Sequence, residues 1–149
     1  MKKTFALLLA LALMASLSVT AFAADNVDIT TSIEPTYTVT IPANTAVVFN
    51  ATETAFGAIE VTAAQIHPDK CIKVTLTTDG KLENGIDATK VIPYVIKDAA
   101  GNAFTSATYL TEGDKTDLSI HITEEDWNAA YAGSYSDTVT FTITYEDKA

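Results

Sequence analysis

The last strand-like segment of the chain, residues 138–145, alternates threonine with large apolar residues without interruption. The threonines are Thr138, Thr140, Thr142 and Thr144, and the apolar residues between and after them are Val139, Phe141, Ile143 and Tyr145. Successive side chains of a β-strand point to opposite faces of a sheet, so this period of two predicts a strand with one buried face and one wet face. The rest of the chain must therefore supply a sheet for it.

Similar segments recur along the chain. Two of them, residues 37–41 and 117–122, alternate as clearly as the last one. Weaker strand patterns cover residues 27–33, 45–49, 56–62, 90–97 and 103–110. These eight segments, together with a strand predicted from Cys71 to Thr77, are separated by turn residues at the spacing typical of an antiparallel sandwich.

Turn signals and prolines refine this pattern. Asp79-Gly80 and Asn84-Gly85 are dipeptides that favour tight turns, and residues 98–102 are predicted to form a hairpin loop. Pro42 should end the strand before it. Pro93 lies inside the predicted 90–97 strand, and because proline lacks an N–H we expect that strand at a sheet edge or on a bulge.

One short helix is predicted just before the last strand. Thr123 offers a capping hydroxyl, and the next three residues are acids, which the positive end of a helix dipole favours. We expect Trp127 on this helix to cover the core and Gly133 to end the helix. The predicted fold class is therefore all-β, a single antiparallel immunoglobulin-like β-sandwich with one short helix before the last strand.

The charge of the chain excludes several partners. All nine of its basic residues are lysines, and they face 19 acidic residues, which gives a formal net charge of -10. Nucleic acids and anionic membranes attract basic surfaces, so neither is an expected partner. The sequence also has no arginine, the residue best suited to bidentate recognition of phosphate or carboxylate.

The N-terminus carries the three parts of a secretory signal peptide. Lys2 and Lys3 precede an apolar run over residues 5–15, and residues 21–23 form an A-x-A cleavage site. A membrane anchor is the alternative, but hydroxyl residues interrupt the apolar stretch before it reaches the about 20 residues of a span. Removing two lysines leaves seven against 19 acids, a formal charge of -12 for a secreted domain over residues 24–149.

Cys71 is the only cysteine in the chain. An intramolecular disulfide is therefore excluded, and two interpretations stay open. Cys71 is either a small apolar residue in the protein interior, as free cysteines usually are, or an exposed thiol for pairing with another molecule. Alternation along residues 71–77 places it opposite Ile72, on the same face as Lys73, whereas a loop covering the start of the strand would bury it.

Residue patterns for catalysis are weak. His67 and His121 are far apart in sequence, and a zinc site normally needs three or four closely spaced ligands, so no zinc site is expected. The sequence Ala132-Gly133-Ser134-Tyr135-Ser136 lacks the second glycine of a nucleophile elbow. The paired acids of residues 124–126 are explained by the start of the helix rather than by glycosidase chemistry. We therefore expect a non-enzymatic protein without a cofactor.

Calcium is the cofactor for which the sequence offers some support. Residues 112–117 and 98–102 place oxygen ligands on loops, as a hard cation requires. Neither loop has the ligand spacing of an EF-hand, and a solvated acidic loop is the simpler interpretation.

The C-terminal segment also resembles a known group of proteins. Residues 132–145, with a glycine, a tyrosine and Asp137 leading into an alternating strand closed by Tyr145, are similar to the ending of spore coat protein U and fimbrial-subunit-like domains. Residues 56–61 and 71–77 resemble the early strand pair of those small secreted β-sandwich proteins, which are common in Firmicutes. The resemblance implies an immunoglobulin-like sandwich with a structural or adhesive role outside the cell, and it implies no catalytic residues.

Two functions follow as hypotheses. The first is a secreted bacterial structural or surface-assembly protein of the pilin or coat kind, which associates with itself through open sheet edges. The second is an extracellular carbohydrate-binding or adhesion module at the cell surface, with a glycan or cell-surface partner. Its candidate ligand-binding aromatic residues are Tyr109, Trp127 and Tyr131.

Overall fold

A computed structural model describes residues 28–148, and the predicted signal peptide lies outside them. Residues 28–32 form no helix or strand and belong to a different compact unit from residues 33–148. The second unit contains ten strands and one helix in the described residues. In chain order they are β1 (Thr36–Thr40), β2 (Glu53–Gln65), β3 (Lys70–Thr77), β4 (Lys81–Asn84), β5 (Val91–Pro93), β6 (Val95–Asp98), β7 (Ser106–Tyr109), β8 (Lys115–His121), α1 (Glu124–Ala129), β9 (Tyr135–Ser136) and β10 (Thr140–Asp147).

The strands form three antiparallel sheets. Sheet 1 has the order β1-β2-β8-β6, sheet 2 has the order β10-β3-β7, and sheet 3 has the order β5-β4-β9. The all-β class and the short helix before the last strand are confirmed. The immunoglobulin-like arrangement stays a prediction.

The three sheets share one hydrophobic core. Its buried side chains come from strands of all three sheets, from the connecting positions 94, 104 and 122, and from α1: Ile59, Val61, Ile72, Val74, Ile92, Tyr94, Ile96, Phe104, Tyr109, Leu118, Ile120, Ile122 and Trp127. Two aromatic pairs join sheet 1 to β10. Phe56 lies 6.1 Å from Phe141 between ring centroids, and Tyr37 stacks on Tyr145 at 5.6 Å. Burial of this apolar surface is the main stabilising contribution to the fold.

The clearly alternating segments are strands, as predicted. Residues 138–145 correspond to β10, which pairs with β3 in continuous register from Thr140 opposite Thr77 to Asp147 opposite Lys70. The segments at 37–41 and 117–122 correspond to β1 and β8. Pro42 follows the end of β1 at Thr40, as expected for a residue that cannot donate to the ladder.

The structure extends the predicted 56–62 strand in both directions. β2 runs over 13 residues because it pairs with β1 through its second half and with β8 through its first half. Its register with β8 shifts between Ala55 and Gly57, which is the pattern of a β-bulge. Gly57 has φ of 116°, a backbone conformation that side chains with a Cβ rarely adopt.

The predicted 90–97 strand is divided in two at Tyr94. β5 pairs with β4 in sheet 3, whereas β6 pairs with β8 in sheet 1, so the chain changes sheets at this residue. The Tyr94 amide donates to the carbonyl of Gly80 at 2.8 Å. Pro93 ends β5, which is an edge strand of sheet 3, so the edge position predicted for this proline is confirmed.

Two predicted strands are wrong. Residues 45–49 form no strand, and neither do residues 28–33, the described part of the 27–33 segment. Alternation makes a strand only where a neighbouring backbone completes the ladder. The 45–49 segment lies beside β2, where the hydroxyl of Thr45 donates a long hydrogen bond of 3.4 Å to the carbonyl of Phe56. This is a side-chain contact and not a bond of a backbone ladder.

The helix has the predicted start. The hydroxyl of Thr123 accepts the amide N–H of Asp126 at 3.1 Å, and the first turn carries three acids. Trp127 is buried, and its indole N–H donates to the carbonyl of Ala51 at 2.9 Å. The helix therefore covers the core through Trp127, as the sequence predicts. It ends at Ala129 with its C-cap at Ala130, so the predicted end at Gly133 is wrong.

Candidate functional site

A cleft of about 760 Å³ opens between the segment before β2 and the chain that follows α1. We call it the aromatic cleft, because four aromatic side chains line it. Its lining residues are Thr45, Ala46, Val47, Phe49, Leu82, Ile92, Trp127, Ala130, Tyr131, Ala132, Gly133, Tyr135, Ser136 and Asp137. The cleft has the size and the mostly apolar lining of a small-ligand site.

Asn84 fixes one wall of the aromatic cleft. It is 5% exposed, and its side-chain amide donates to the carbonyl of Ala132 while its side-chain oxygen accepts the amides of Ile86 and Asp87. Gly133 packs against this side chain with φ of 150°. The loop between α1 and β9 is therefore held from inside by a satisfied polar residue.

Tyr131 stands at the rim of the aromatic cleft. It is 61% exposed, and the ammonium group of Lys90 lies 4.8 Å from the centroid of its ring, a cation–π contact. The hydroxyl of Tyr135 accepts the Tyr131 amide at 3.1 Å and donates to the Tyr131 carbonyl at 2.9 Å. These contacts fix the backbone of Tyr131 while leaving much of its ring in water.

Phe49 and Trp127 form the opposite end of the cleft. Their rings meet edge to face, with centroids 5.6 Å apart. Phe49 is 70% exposed, whereas Trp127 is 8% exposed. The tryptophan thus belongs to the core, and the phenylalanine presents an apolar ring to solvent beside it.

Asp137 brings a carboxylate to the same cleft. Its Oδ2 accepts hydrogen bonds from the hydroxyls of Tyr94 and Thr78, and its Oδ1 accepts the amide of Thr138 at 2.6 Å. Burial, reinforced by the bond to Asp137, raises the pKa of Tyr94 above its usual range, so the phenol stays a donor. A neighbouring cavity of about 490 Å³ shares Asp137 with the cleft.

The structure brings together two of the three aromatic residues predicted for ligand binding. Trp127 and Tyr131 both line the aromatic cleft, but Tyr109 does not. Tyr109 is 3% exposed on β7, where its hydroxyl and that of Thr116 form a 2.8 Å hydrogen bond. Burial raises the pKa of Tyr109. It also makes the ring inaccessible to an external ligand.

Cys71 lies in the protein interior. It is 2% exposed, and its sulfur is 3.7 Å from the carbonyl oxygen of Asp147 at the end of β10. The buried alternative is therefore the one that the structure supports. At this exposure, the structure offers no accessible thiol at Cys71 for pairing with another molecule.

The loop carboxylates considered for calcium bind their own backbone. Asp98 accepts the amides of Ala100 and Asn102, each at 2.9 Å. Asp114 accepts the amides of Leu110 and Thr111, and these bonds hold the pKa of Asp114 below its usual value. Within residues 28–148, no group of three His, Cys, Asp or Glu side chains is placed to hold a metal ion.

The second candidate site is the outer side of β10, which we call the β10 edge. Across the described chain, β10 has a sheet neighbour on one side only, β3. Its eight residues include no proline and no lysine, and its pairing with β3 has no bulge. Thr140, Thr142 and Thr144 are exposed, and Ile143 is 38% exposed.

The other edge strands of the described sheets carry features that discourage pairing. β5 contains Pro93, β9 has two residues and β7 has four. The outer side of β6 is bridged by Ala103 to Lys97, and the pairing of β1 shifts register after Thr38. The β10 edge is therefore the least protected of the six.

Several residues of these sites carry little functional signal in the sequence. The sequence presents Asn84 as half of a turn dipeptide and Asp137 as part of the turn before the last strand. It places Phe49 in a predicted strand that does not form. The usable signal was the Asn84-Gly85 pair, because asparagine before glycine often binds nearby backbone as well as turning the chain.

Comparisons with known proteins leave the family open. No family model matches the chain, and no curated protein matches it. Over residues 28–148, the structure contains no helix with the length and hydrophobicity of a transmembrane span.

Proposed function

We propose that the chain is a secreted, non-enzymatic surface-assembly protein that associates with further copies through the β10 edge. The observation that carries this proposal is the contrast between β10 and the other edge strands: eight regular residues without proline, lysine or bulge. Edges of this kind are templates for pairing with another strand, and natural proteins usually protect them.

The affinity would come mainly from the backbone. An added strand binds the row of unpaired N–H and C=O groups at an edge, and side chains on alternate positions determine its register. The exposed threonines of β10 keep one face of the strand compatible with water. On the opposite face, Ile143 offers partly exposed apolar surface that an added strand could cover. The strand can therefore stay in water in a single copy and still offer apolar surface to an added strand.

Charge does not oppose this pairing over most of the β10 edge. The segment from Thr140 to Tyr145 carries no charged side chain. At its end, Asp147 lies 2.5 Å from Lys70 and Glu146 lies 3.1 Å from Lys73, so both acids have a partner within the chain. Local repulsion between two copies is thereby reduced, despite the acidity of the whole chain.

The experiment is sedimentation velocity over a concentration series of the chain from residue 24. The wild type should form dimers or larger species at high concentration. Ile143→Lys places an inward-pointing charge at the edge and should keep the protein monomeric. Ile86→Lys, at a residue that is 90% exposed on a loop, is the matched control and should assemble as the wild type does.

Circular dichroism melting of each variant separates lost assembly from lost folding. Dimers alone would indicate twofold pairing of β10 with its copy, and fibres would indicate pairing of β10 with a different edge. A wild type that stays monomeric and forms no fibres contradicts the proposal. So does assembly that a folded Ile143→Lys variant retains in full.

A further inference from the structure

We infer that the aromatic cleft is a binding site for a neutral oligosaccharide. This goes beyond assembly, because it uses residues on a different part of the molecule from the β10 edge. A sugar ring presents an apolar C–H face and a rim of hydroxyl groups, so it needs an exposed aromatic ring beside hydrogen-bond acceptors. The cleft combines Phe49 and Tyr131 with the carboxylate of Asp137.

The aromatic surface available in the cleft is at its rim. Phe49 is 70% exposed and Tyr131 is 61% exposed, whereas Trp127 below them is almost buried. The rim rings can therefore stack on a sugar without any change in the core. Both are fixed in part by existing contacts, Phe49 by Trp127 and Tyr131 by Lys90, which limits the conformational entropy lost on binding.

The polar groups favour a neutral ligand with many hydroxyls. Asp137 is an acceptor whose orientation is fixed by Tyr94, Thr78 and Thr138, and each carboxylate oxygen accepts more than one hydrogen bond. A sugar hydroxyl can donate to it, whereas an anionic sugar would meet a negative charge. The ammonium group of Lys90 is engaged in its cation–π contact with the Tyr131 ring.

The wall that carries Tyr131 is rigid in the way a recognition site requires. Asn84 holds the carbonyl of Ala132, and the amide of Gly85 donates to the carbonyl of Ser134 at 2.8 Å. Tyr135 closes the loop by bonding both backbone groups of Tyr131. A preorganised wall binds a ligand with a smaller ordering cost than a loop without such contacts.

The test uses the fluorescence of Trp127, which is the only tryptophan in the chain and lies in the cleft. The probes are cellohexaose, maltohexaose and chitohexaose in its N-acetylated form, with hexagalacturonate as the anionic comparison. At least one neutral probe should change the emission in a saturable way, and isothermal titration calorimetry should give the same affinity. Hexagalacturonate should bind more weakly.

Two variants locate the binding. Tyr131→Ala should weaken it about tenfold, as expected for loss of an aromatic contact and its associated surface. Tyr37→Ala, an aromatic residue outside the cleft, should leave it unchanged, and so should Ile143→Lys at the β10 edge. The saccharide and assembly proposals can therefore fail separately.

Three results would overturn the inference. One is the absence of any response to the three neutral probes, and another is equal binding by wild type and Tyr131→Ala. The third is a change of oligomeric state in Tyr131→Ala without saccharide binding by the wild type, which would assign the cleft to a second copy of the chain.

Discussion

The hydroxyl of Tyr94 donates a hydrogen bond to the carboxylate of Asp137. Tyr94 is the residue at which the chain passes from sheet 3 to sheet 1, and Asp137 begins the link between β9 and β10. The Thr78 hydroxyl lies within hydrogen-bond distance of both groups, 2.7 Å from Tyr94 and 3.1 Å from Asp137. One buried phenol therefore connects the sheet crossing, the aromatic cleft and the approach to β10.

Replacing Tyr94 with phenylalanine should destabilise the fold by about 1.5–3 kcal/mol at neutral pH, the cost of losing a hydrogen bond to a charged partner. The pKa of Tyr94 is raised, first by burial and then by Asp137. The folded protein thus holds the phenol proton more tightly than the unfolded chain, whose tyrosine pKa is about 10. This contribution is complete below that pH and is lost as the pH rises above it.

Urea unfolding across the alkaline range checks the prediction. The wild type should lose stability above a pH of about 10 more steeply than Tyr94→Phe does. Parallel curves for the two proteins would show that Tyr94 does not carry the pH dependence.

Asn84 and Gly133 should be energetically coupled. A Cβ on residue 133 would collide with the Asn84 amide, and φ at this position is 150°, so Gly133→Ala should cost about 1–3 kcal/mol. Asn84→Ala should cost about 2 kcal/mol, because buried backbone groups lose their partners. In the double variant the collision is absent, so its cost should be smaller than the sum. Urea unfolding of the wild type, the two single variants and the double variant measures these free energies. Strictly additive losses of stability would show that residues 84 and 133 are not coupled.

Asp114 should contribute to stability in mildly acidic and neutral solution. The amides of Leu110 and Thr111 lower its pKa, so its contribution is present above the unfolded value of about 3.9 and is lost as the pH falls. Asp114→Ala should lower the melting temperature at neutral pH. As the pH falls, the melting temperature of the variant should decrease less steeply than that of the wild type. Glu112→Ala on the same loop is the control, and an equal effect of both variants would exclude the specific role of Asp114.

Cys71 should react with thiol reagents only when the protein unfolds. Because Cys71 is 2% exposed, its labelling by an aromatic disulfide reagent should be slow in buffer and rapid in concentrated urea. Non-reducing electrophoresis of protein kept in air should show no covalent dimer. Rapid labelling in buffer would contradict the buried position of the sulfur.

The sequence predicts this fold best where a single segment shows a clear alternation of apolar and polar residues. The alternation of β10, β1 and β8 comes from having one face on the core, and the period of two records it directly. The same pattern fails in residues 28–33, where Ile29 is 96% exposed, because alternation does not reveal whether a partner strand exists.

The candidate sites depend on relationships that the sequence does not display. The division of residues 90–97 at Tyr94 follows from β4 and β8 lying in different sheets, which is a property of the whole topology. The aromatic cleft joins Phe49 to Tyr131 across 82 positions of sequence. Trp127 and Tyr131 were predicted from residue type, but Tyr109 has the same chemistry, and only its burial in the core separates it from them.

If the β10 edge receives a strand from another copy, its free backbone amides become hydrogen-bonded, and NMR-detected amide hydrogen exchange reports this residue by residue. Exchange should be followed at a low concentration and at one where sedimentation shows association. Outward-facing amides between Thr140 and Asp147 should become protected at the higher concentration, while exchange at the edges of β5 and β7 should not change. Unchanged exchange along β10 in associated protein, or new protection confined to another edge, would contradict it.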